Sequence, residues 1–420
     1  MNRSIERAAW CAFDFANSSF TTVVITVVYA RWFVNHVVPA EGAFGLQADA
    51  LWALCNAATM AAAMLLGPSI GAAADRKAQR KRWLTATVVV CCGATALLGQ
   101  TQDFGASIVL LFCAGLAFLI SENAVSAFLP TLGTTAELGR ISGMGWAVGY
   151  CGGLAALLLV NPIAADGAMG TALLLTAAFF FICALPAVLL LREPPAATSN
   201  NASDTGALRD LWQQRGHWRD TLHFLQAQCL FQAGVAVVIT LAAIYAEEVV
   251  GLDDGAVMRL FILLQVTAGL GAWGCGVFQD RFGAMGGLKL SLVVWIAAVL
   301  CCTVAVDSTL FHIGAALAGA GMGATQASAR AVVGMLAPEG RAATWFGLWG
   351  FAGKGGALLG LVCFTVLRSA LPLRESLGLC GLLFLGGLVA LRKVDLHRGL
   401  QAARRNNPVD SDLRQSSDFS

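Results

Sequence analysis

Apolar stretches of roughly 20 to 25 residues recur along almost the whole chain, each long enough for an α-helix to cross a hydrocarbon core about 30 Å thick. Inside lipid every backbone N–H and C=O must be satisfied within the protein, so such stretches are restricted to helices. Apolar runs set against polar breaks predict twelve spans, near 9–33, 49–74, 83–100, 105–129, 140–160, 169–191, 221–246, 257–279, 286–305, 309–336, 343–367 and 375–392. Composition agrees: 57% hydrophobic and 12% charged residues, with a mean hydropathy of +0.71, lie far from soluble usage, in which about a quarter of residues are charged. The first block contains Asp14 and Asn17 and lacks a small-residue cleavage site, so it is expected to stay in the mature protein.

The net charge of +2 is uninformative, but the placement of the charges is not. Basic residues cluster in alternate connections: Arg3 and Arg7, Arg76 to Arg82, Arg140, Arg192 to Arg219, Arg281, Arg341 and the tail from Arg392. The other connections carry Glu41, Asp103, Asp166, Glu247, Glu248, Asp253, Asp254 and Asp307, with Arg259 and Arg374 as exceptions. The positive-inside rule then puts both termini in the cytoplasm, and the expected location is a bacterial inner (plasma) membrane. Basic residues in short runs rather than on one stripe give no footprint for nucleic acid. The thirteen cysteines lie in apolar blocks without a CxxC pair, so neither a disulfide nor a zinc framework is expected, and no metal or other cofactor.

The longest connection, 193–220, is rich in Pro, Ala, Ser and Asn before it turns basic; it reads as a cytoplasmic linker with room for a short interfacial helix. It separates a six-helix bundle at 1–192 from a second at 221–394, and the polar tail 395–420 is expected to be disordered. The bundles look duplicated. The second and eighth spans end in Gly71-Ala-Ala-Ala-Asp75-Arg76 and Gly276-Val-Phe-Gln-Asp280-Arg281, the first and seventh share Val23-Val24-Ile25-Thr26 and Val237-Val238-Ile239-Thr240, and the fourth and tenth end at Pro130 and Pro338.

These features resemble the major facilitator superfamily over about residues 8 to 394. Gly71, Asp75, Arg76, Arg80 and Lys81 match its signature between helices 2 and 3, with Ala78 in place of the second Gly; the later copy keeps that glycine as Gly283 but lacks the basic end. A narrower resemblance is to the vacuole-effluxer-like branch, which includes fungal vacuolar amino-acid exporters and many bacterial members. It rests on Phe13-Asp14-Phe15-Ala16-Asn17-Ser18, Glu122-Asn123 through Leu129-Pro130, Gly149-Tyr150-Cys151-Gly152-Gly153, Gln326 to Arg330, Phe346-Gly347 and Gly353-Lys354. The resemblance implies an all-α membrane fold of two pseudo-symmetric six-helix bundles, with helices 1, 4, 7 and 10 around a central cavity. It also implies that Asp75, Arg76 and Arg80 brace a cytoplasmic gate at the N-terminal end of helix 11, with Gly276, Asp280 and Arg281 serving the second half.

An ionisable side chain in a span costs about 2.5 to 3.5 kcal/mol at the centre and needs a partner or a watery cavity. Counted from the cytoplasmic ends, Asp14, Glu122 and Arg330 lie in the inner third and Lys354 nearer the midplane. Aligning Pro130 with Pro338 sets Glu122 opposite Arg330, and this pair is expected either to gate or couple transport or to stand as a static buried ion pair. Asp14 is a coupling or substrate candidate, or an inner-end carboxylate beside Arg7. Lys354 is expected to meet a substrate carboxylate, or else to bridge to Asp14. Asn17, Ser18, Asn123, Tyr150 and Gln326, with Gln232 behind them, supply uncharged polar groups for a solute site or for helix packing. The glycines Gly143, Gly145, Gly149, Gly152 and Gly153, and Gly347, Gly350, Gly353, Gly356 and Gly360, read as faces for close packing.

The expected function is secondary active transport by alternating access, with protons or sodium as coupling ion and protons preferred. Arg330 and Lys354 beside an acid suit a zwitterion or small organic anion, and the branch resemblance implies amino acids; a sugar, a peptide or a drug stays open. A non-transporting sensor or a lipid scramblase on the same scaffold is the alternative class. No phosphate-binding loop, H-E-x-x-H or G-x-S-x-G occurs, so neither direct ATP drive nor an enzyme is expected. The chain is expected to work as a monomer.

Overall fold

The structure, a computed structural model, describes residues 2–194, 207–248, 250–305 and 307–405. Within them the first half contributes α1 (Arg3–Val37), α2 (Ala48–Arg76), α3 (Arg80–Leu98), α4 (Phe104–Leu132), α5 (Leu138–Ala165) and α6 (Met169–Leu190). A short α7 (Ala207–Gln213) follows. The second half contributes α8 (Arg219–Glu248), α9 (Asp254–Val304), α10 (Ser308–Leu336), α11 (Ala342–Arg368) and α12 (Leu373–Ala390), and α13 (Leu396–Arg405) closes the described chain. There is no strand among the described residues beyond an isolated bridge between Ala43 and Leu46.

Ten of these helices are long and apolar enough to cross a membrane. The count differs from twelve at two places. The eighth and ninth predicted spans share α9, a 51-residue element broken at Gly283, whose φ of 73° and ψ of 162° lie outside the helical region. Only glycine takes such a conformation without cost, so the two spans turn on it. The tenth span, α10, is diluted by glycines, Gln326 and Arg330 and falls outside the ten. It is buried along most of its length, as suits a helix with little to offer lipid.

Local chemistry explains the helix ends. Asp103, Asp253 and Asp307, all in the acidic set of connections, accept hydrogen bonds from Ala106 N (2.7 Å), Ala256 N (2.6 Å) and Leu310 N (2.8 Å), capping α4, α9 and α10. The turn between α2 and α3 holds Ala78 at φ 48°, the position equivalent to Gly283 in the repeat. The motif therefore demands a left-handed residue in both halves, and the first half meets the demand with an alanine, at a strain cost. In α1, the run Thr21 to Val28 is entirely β-branched, and Phe20–Val27 winds as a π-helix. Crowding at χ1 weakens the ordinary α-helical turn, and the Thr26 hydroxyl donates to Thr21 O, five residues back, at 2.8 Å.

The halves meet through glycine faces. Gly71 and Gly67 of α2 lie against Ala343 and Gly347 of α11, and Gly143 of α5 lies against Ala272 and Gly276 of α9; a Cβ at Gly71, Gly143 or Gly347 would run into the facing backbone. The expected disorder of the tail is corrected over its first part: α13 packs Gly399 against Leu336, and Arg398 forks onto Asp220 with two 2.7 Å bonds. Residues 406–420 of that tail and 195–206 of the expected linker lie outside the described residues.

Candidate central site and gate

Asp14 on α1 and Arg330 on α10 join the two halves. Arg330 Nη1 and Nη2 donate to Asp14 Oδ1 and Oδ2 at 3.1 and 2.8 Å, a bidentate pairing that fixes both groups. The rest of the guanidinium is equally engaged: Nε donates to Ser142 Oγ at 3.0 Å and Nη2 to Ser142 O at 3.0 Å, while the Ser142 hydroxyl itself donates to Ala327 O at 2.7 Å. Its faces are covered by Trp10 and Trp146, with ring centroids 4.3 and 5.2 Å from Cζ. Trp10 is held by a 2.8 Å bond from Nε1 to Val125 O. Arg330 is 2% exposed and Asp14 8%, so the pair is sealed from water. Gly145 makes room for it, since a side chain there would displace the Asp14 carboxylate and the guanidinium.

This overturns the expected Glu122–Arg330 pair. Equivalence in the repeat set the two residues at the same depth, but Asp14 reaches Arg330 first and, with Ser142, uses its donors. Arg7 is not a partner of Asp14 either; it donates to Glu137 and to Leu132 O, each at 2.8 Å. Nor does Lys354 bridge to Asp14.

Glu122 of α4 in the first half and Lys354 of α11 in the second lie near enough to act on one another electrostatically. No hydrogen bond or ion pair joins either to any described residue, although Lys354 is only 8% exposed. Around them stand further unsatisfied polar groups. Both amide atoms of Asn123, the side-chain oxygens of Gln228 and Gln232, and the indole N–H groups of Trp146 and Trp349 are buried without a partner. Asn123 lies against Gly350, and Gln228 and Gln232 lie against Gly353, the neighbour of Lys354. Asn17 Oδ1 is buried and unpartnered too; Tyr150 is buried, its ring 5.9 Å from that of Trp146, and Gln326 is half-buried. A polar solute entering such a cluster would find hydrogen-bond partners there.

At the basic end the first copy of the repeated motif forms a closed network. Asp75, 3% exposed, accepts from Arg80 Nε (2.7 Å), Ala343 N (3.1 Å), Thr344 N (2.7 Å) and Thr344 Oγ1 (2.7 Å). The carboxylate thus caps the N-terminus of α11, where free N–H groups and the helix dipole favour negative charge. Gly71, one turn earlier, lets α11 come this close. Arg76 is exposed. The second copy differs: Asp280 is exposed and meets Arg140 only at 4.0 Å, Arg281 is exposed, and Gly276 packs on Gly143.

Sequence reading missed Ser142, Trp10, Thr344 and Gln228. Gln228 carried a signal, as it precedes Gln232 by one turn on the same face; a lone serine or threonine in a span carries none. No group of His, Cys, Asp and Glu that could hold a metal occurs among the described residues.

The family described as "Vacuole effluxer Atg22 like" matches residues 35–404. The uncharacterized MFS-type transporter YxiO of Bacillus subtilis strain 168 is 23% identical over 422 residues, covering 96% of this chain and 97% of its own. Among solved structures, FucP, the E. coli fucose:proton symporter, superposes in its outward conformation with a TM-score of 0.74 at 15% identity, over 94% of this chain and all of that one. The human organic anion transporter MFSD10 superposes with a TM-score of 0.71 at 14% identity, over 93% and 98%.

Proposed function

Because this chain belongs to the vacuole effluxer Atg22-like family of major facilitator-type transporters, multi-pass membrane proteins that carry small-molecule solutes, we propose that it is a secondary active carrier of a zwitterion, an amino acid in the first place. The observation that carries this reading is a pair of opposite charges in opposite halves, Lys354 buried and Glu122 half-buried, set among buried polar groups without a protein partner. A solute carboxylate would pair with the Lys354 ammonium and a solute ammonium with the Glu122 carboxylate. Asn123, Gln228, Gln232 and the Trp349 indole would hydrogen-bond the remainder. Binding then replaces unsatisfied groups by satisfied ones, which is where affinity in an apolar pocket comes from.

Alternating access follows from the two sealed contacts between halves. The Asp75 cap on α11 and the Asp14–Arg330 pair hold the basic end shut, and opening that end must break both. Separation strips Asp14 of its Arg330 counter-charge. Proton coupling is thus assigned to Asp14, with Arg330 as the competing cation. The basic end faces the cytoplasm of a bacterial inner membrane, and the chain acts as a monomer.

The test is reconstitution in liposomes with an internal pH dye, adding a panel of amino acids, sugars and organic acids to wild type and Asp14→Asn. Proton movement triggered by amino acids and lost in Asp14→Asn is the expected result. Solute flux without proton movement removes the coupling role, and absence of solute flux across the panel removes the transport assignment in favour of a sensor or scramblase.

A further inference from the structure

A groove of about 840 Å³ runs up the outer surface of the first half between α1, α5 and α6. The solute reading above does not use it. Its course is set by two helices that leave the basic end side by side. Arg7 to Phe15 on α1 and Arg140 to Val148 on α5 each cover nine residues, about 12 Å of rise. The floor lies deep because Ala8 and Ala12, one turn apart on α1, carry only methyl groups, and Met144 of α5 forms a wall that is 45% exposed. Pro186 completes the α6 side. Apart from two arginines at its mouth, the lining is apolar.

Those arginines differ. Arg7 is fixed by its bonds to Glu137 and Leu132 O. Arg140 is 53% exposed, and its one described contact is the 4.0 Å approach to Asp280 of the other half. It is a cation with unused donors, placed at the head of an apolar channel on a membrane-facing surface.

We propose that this groove is a binding site for an anionic phospholipid, with one acyl chain along α1 and α5 and the phosphodiester on Arg140. A guanidinium offers a phosphate two parallel N–H donors, a better geometry than its distant contact with Asp280. Basic groups at the ends of membrane helices are where anionic headgroups gather. Glu137 sits on Arg7 and Asp280 faces Arg140, so the phosphate must draw Arg140 away from Asp280. Occupancy would therefore loosen the second copy of the gate motif while leaving the Asp75 network untouched.

Native mass spectrometry of the full chain, titrated with phosphatidylglycerol or with phosphatidylcholine of the same chains, tests this. Phosphatidylglycerol should bind about tenfold more tightly, the scale of one charge-assisted contact. Arg140→Gln should bring its affinity down to that of phosphatidylcholine, and Ala12→Phe, which fills the floor, should weaken both lipids. Arg392→Gln, an equal loss of charge at the same end, should change neither. Equal binding of the two lipids overturns the proposal, and so does an Arg392→Gln effect as large as that of Arg140→Gln. Displacement of the lipid by an equal concentration of glycerol phosphate overturns it as well, because the acyl chain would then contribute nothing.

Discussion

Two layers of polar groups cross the interface between the halves, and they are built on opposite terms. Towards the basic end, Asp75 and Arg330 are each fully engaged, Arg330 by the other half and Asp75 by α11 together with Arg80 of its own half. At the centre, Glu122 and Lys354 stand near Asn123, Gln228 and Gln232, whose buried amide atoms lack partners. The first layer stabilises a closed arrangement; the second gives up stability at a place where a solute could restore it. The contrast repeats within the motif itself. Asp75 is sealed in a network, whereas its copy Asp280 is exposed and loosely paired, so the two faces of the gate are unequal in strength.

If this contrast is real, removing charge from one layer should unfold and from the other should only silence. Arg330→Met leaves Asp14 buried and unpaired, and thermal unfolding in detergent should show a loss of about 3–5 kcal/mol. Asp75→Asn strips charge-assisted bonds from Arg80 and α11 and should lose about 2–3 kcal/mol, while Asp280→Asn should stay within about 0.5 kcal/mol. Glu122→Gln and Lys354→Met remove charges that nothing in the protein satisfies. Their stability should change by less than about 1 kcal/mol, or rise, while transport is lost. Ala78→Gly relieves the left-handed turn and should stabilise by about 0.5–1 kcal/mol; no gain would mean that the turn relaxes without cost.

The smallest effect concerns pH. Backbone and hydroxyl bonds from Thr134 and the Arg7 guanidinium hold the Glu137 carboxyl down at about 2, against an ordinary 4.5. A depressed carboxyl contributes stability that is complete above about pH 4.5 and lost as pH falls from there through about 2. Glu137→Gln should flatten the unfolding profile in that window alone.

The fold was legible because lipid leaves a chain few options, and apolar length gave the helices. The repeat was legible in Asp75 and Asp280, but the positive φ shared by Ala78 and Gly283 was not read from it. The π-helical turn of α1 was not read, although eight β-branched residues in a row announce a weak α-helix. Charges could be found one by one, since each is conspicuous in a span. Their pairing could not, because it depends on which helix faces which. Alignment through Pro130 and Pro338 gave depth but not azimuth, so Glu122 was matched to Arg330 when Asp14, Ser142 and two tryptophans surround it. The same limit hid Thr344 and Gln228, whose roles come from neighbours on other helices.

Counterflow of a labelled amino acid in liposomes preloaded with the unlabelled one tests the central claim most directly, because it needs no ion gradient and so isolates the solute site. Wild type should accumulate label, and Glu122→Gln and Lys354→Met, folded to the same melting temperature, should not. Full counterflow in both variants would contradict the account and return the two charges to architecture.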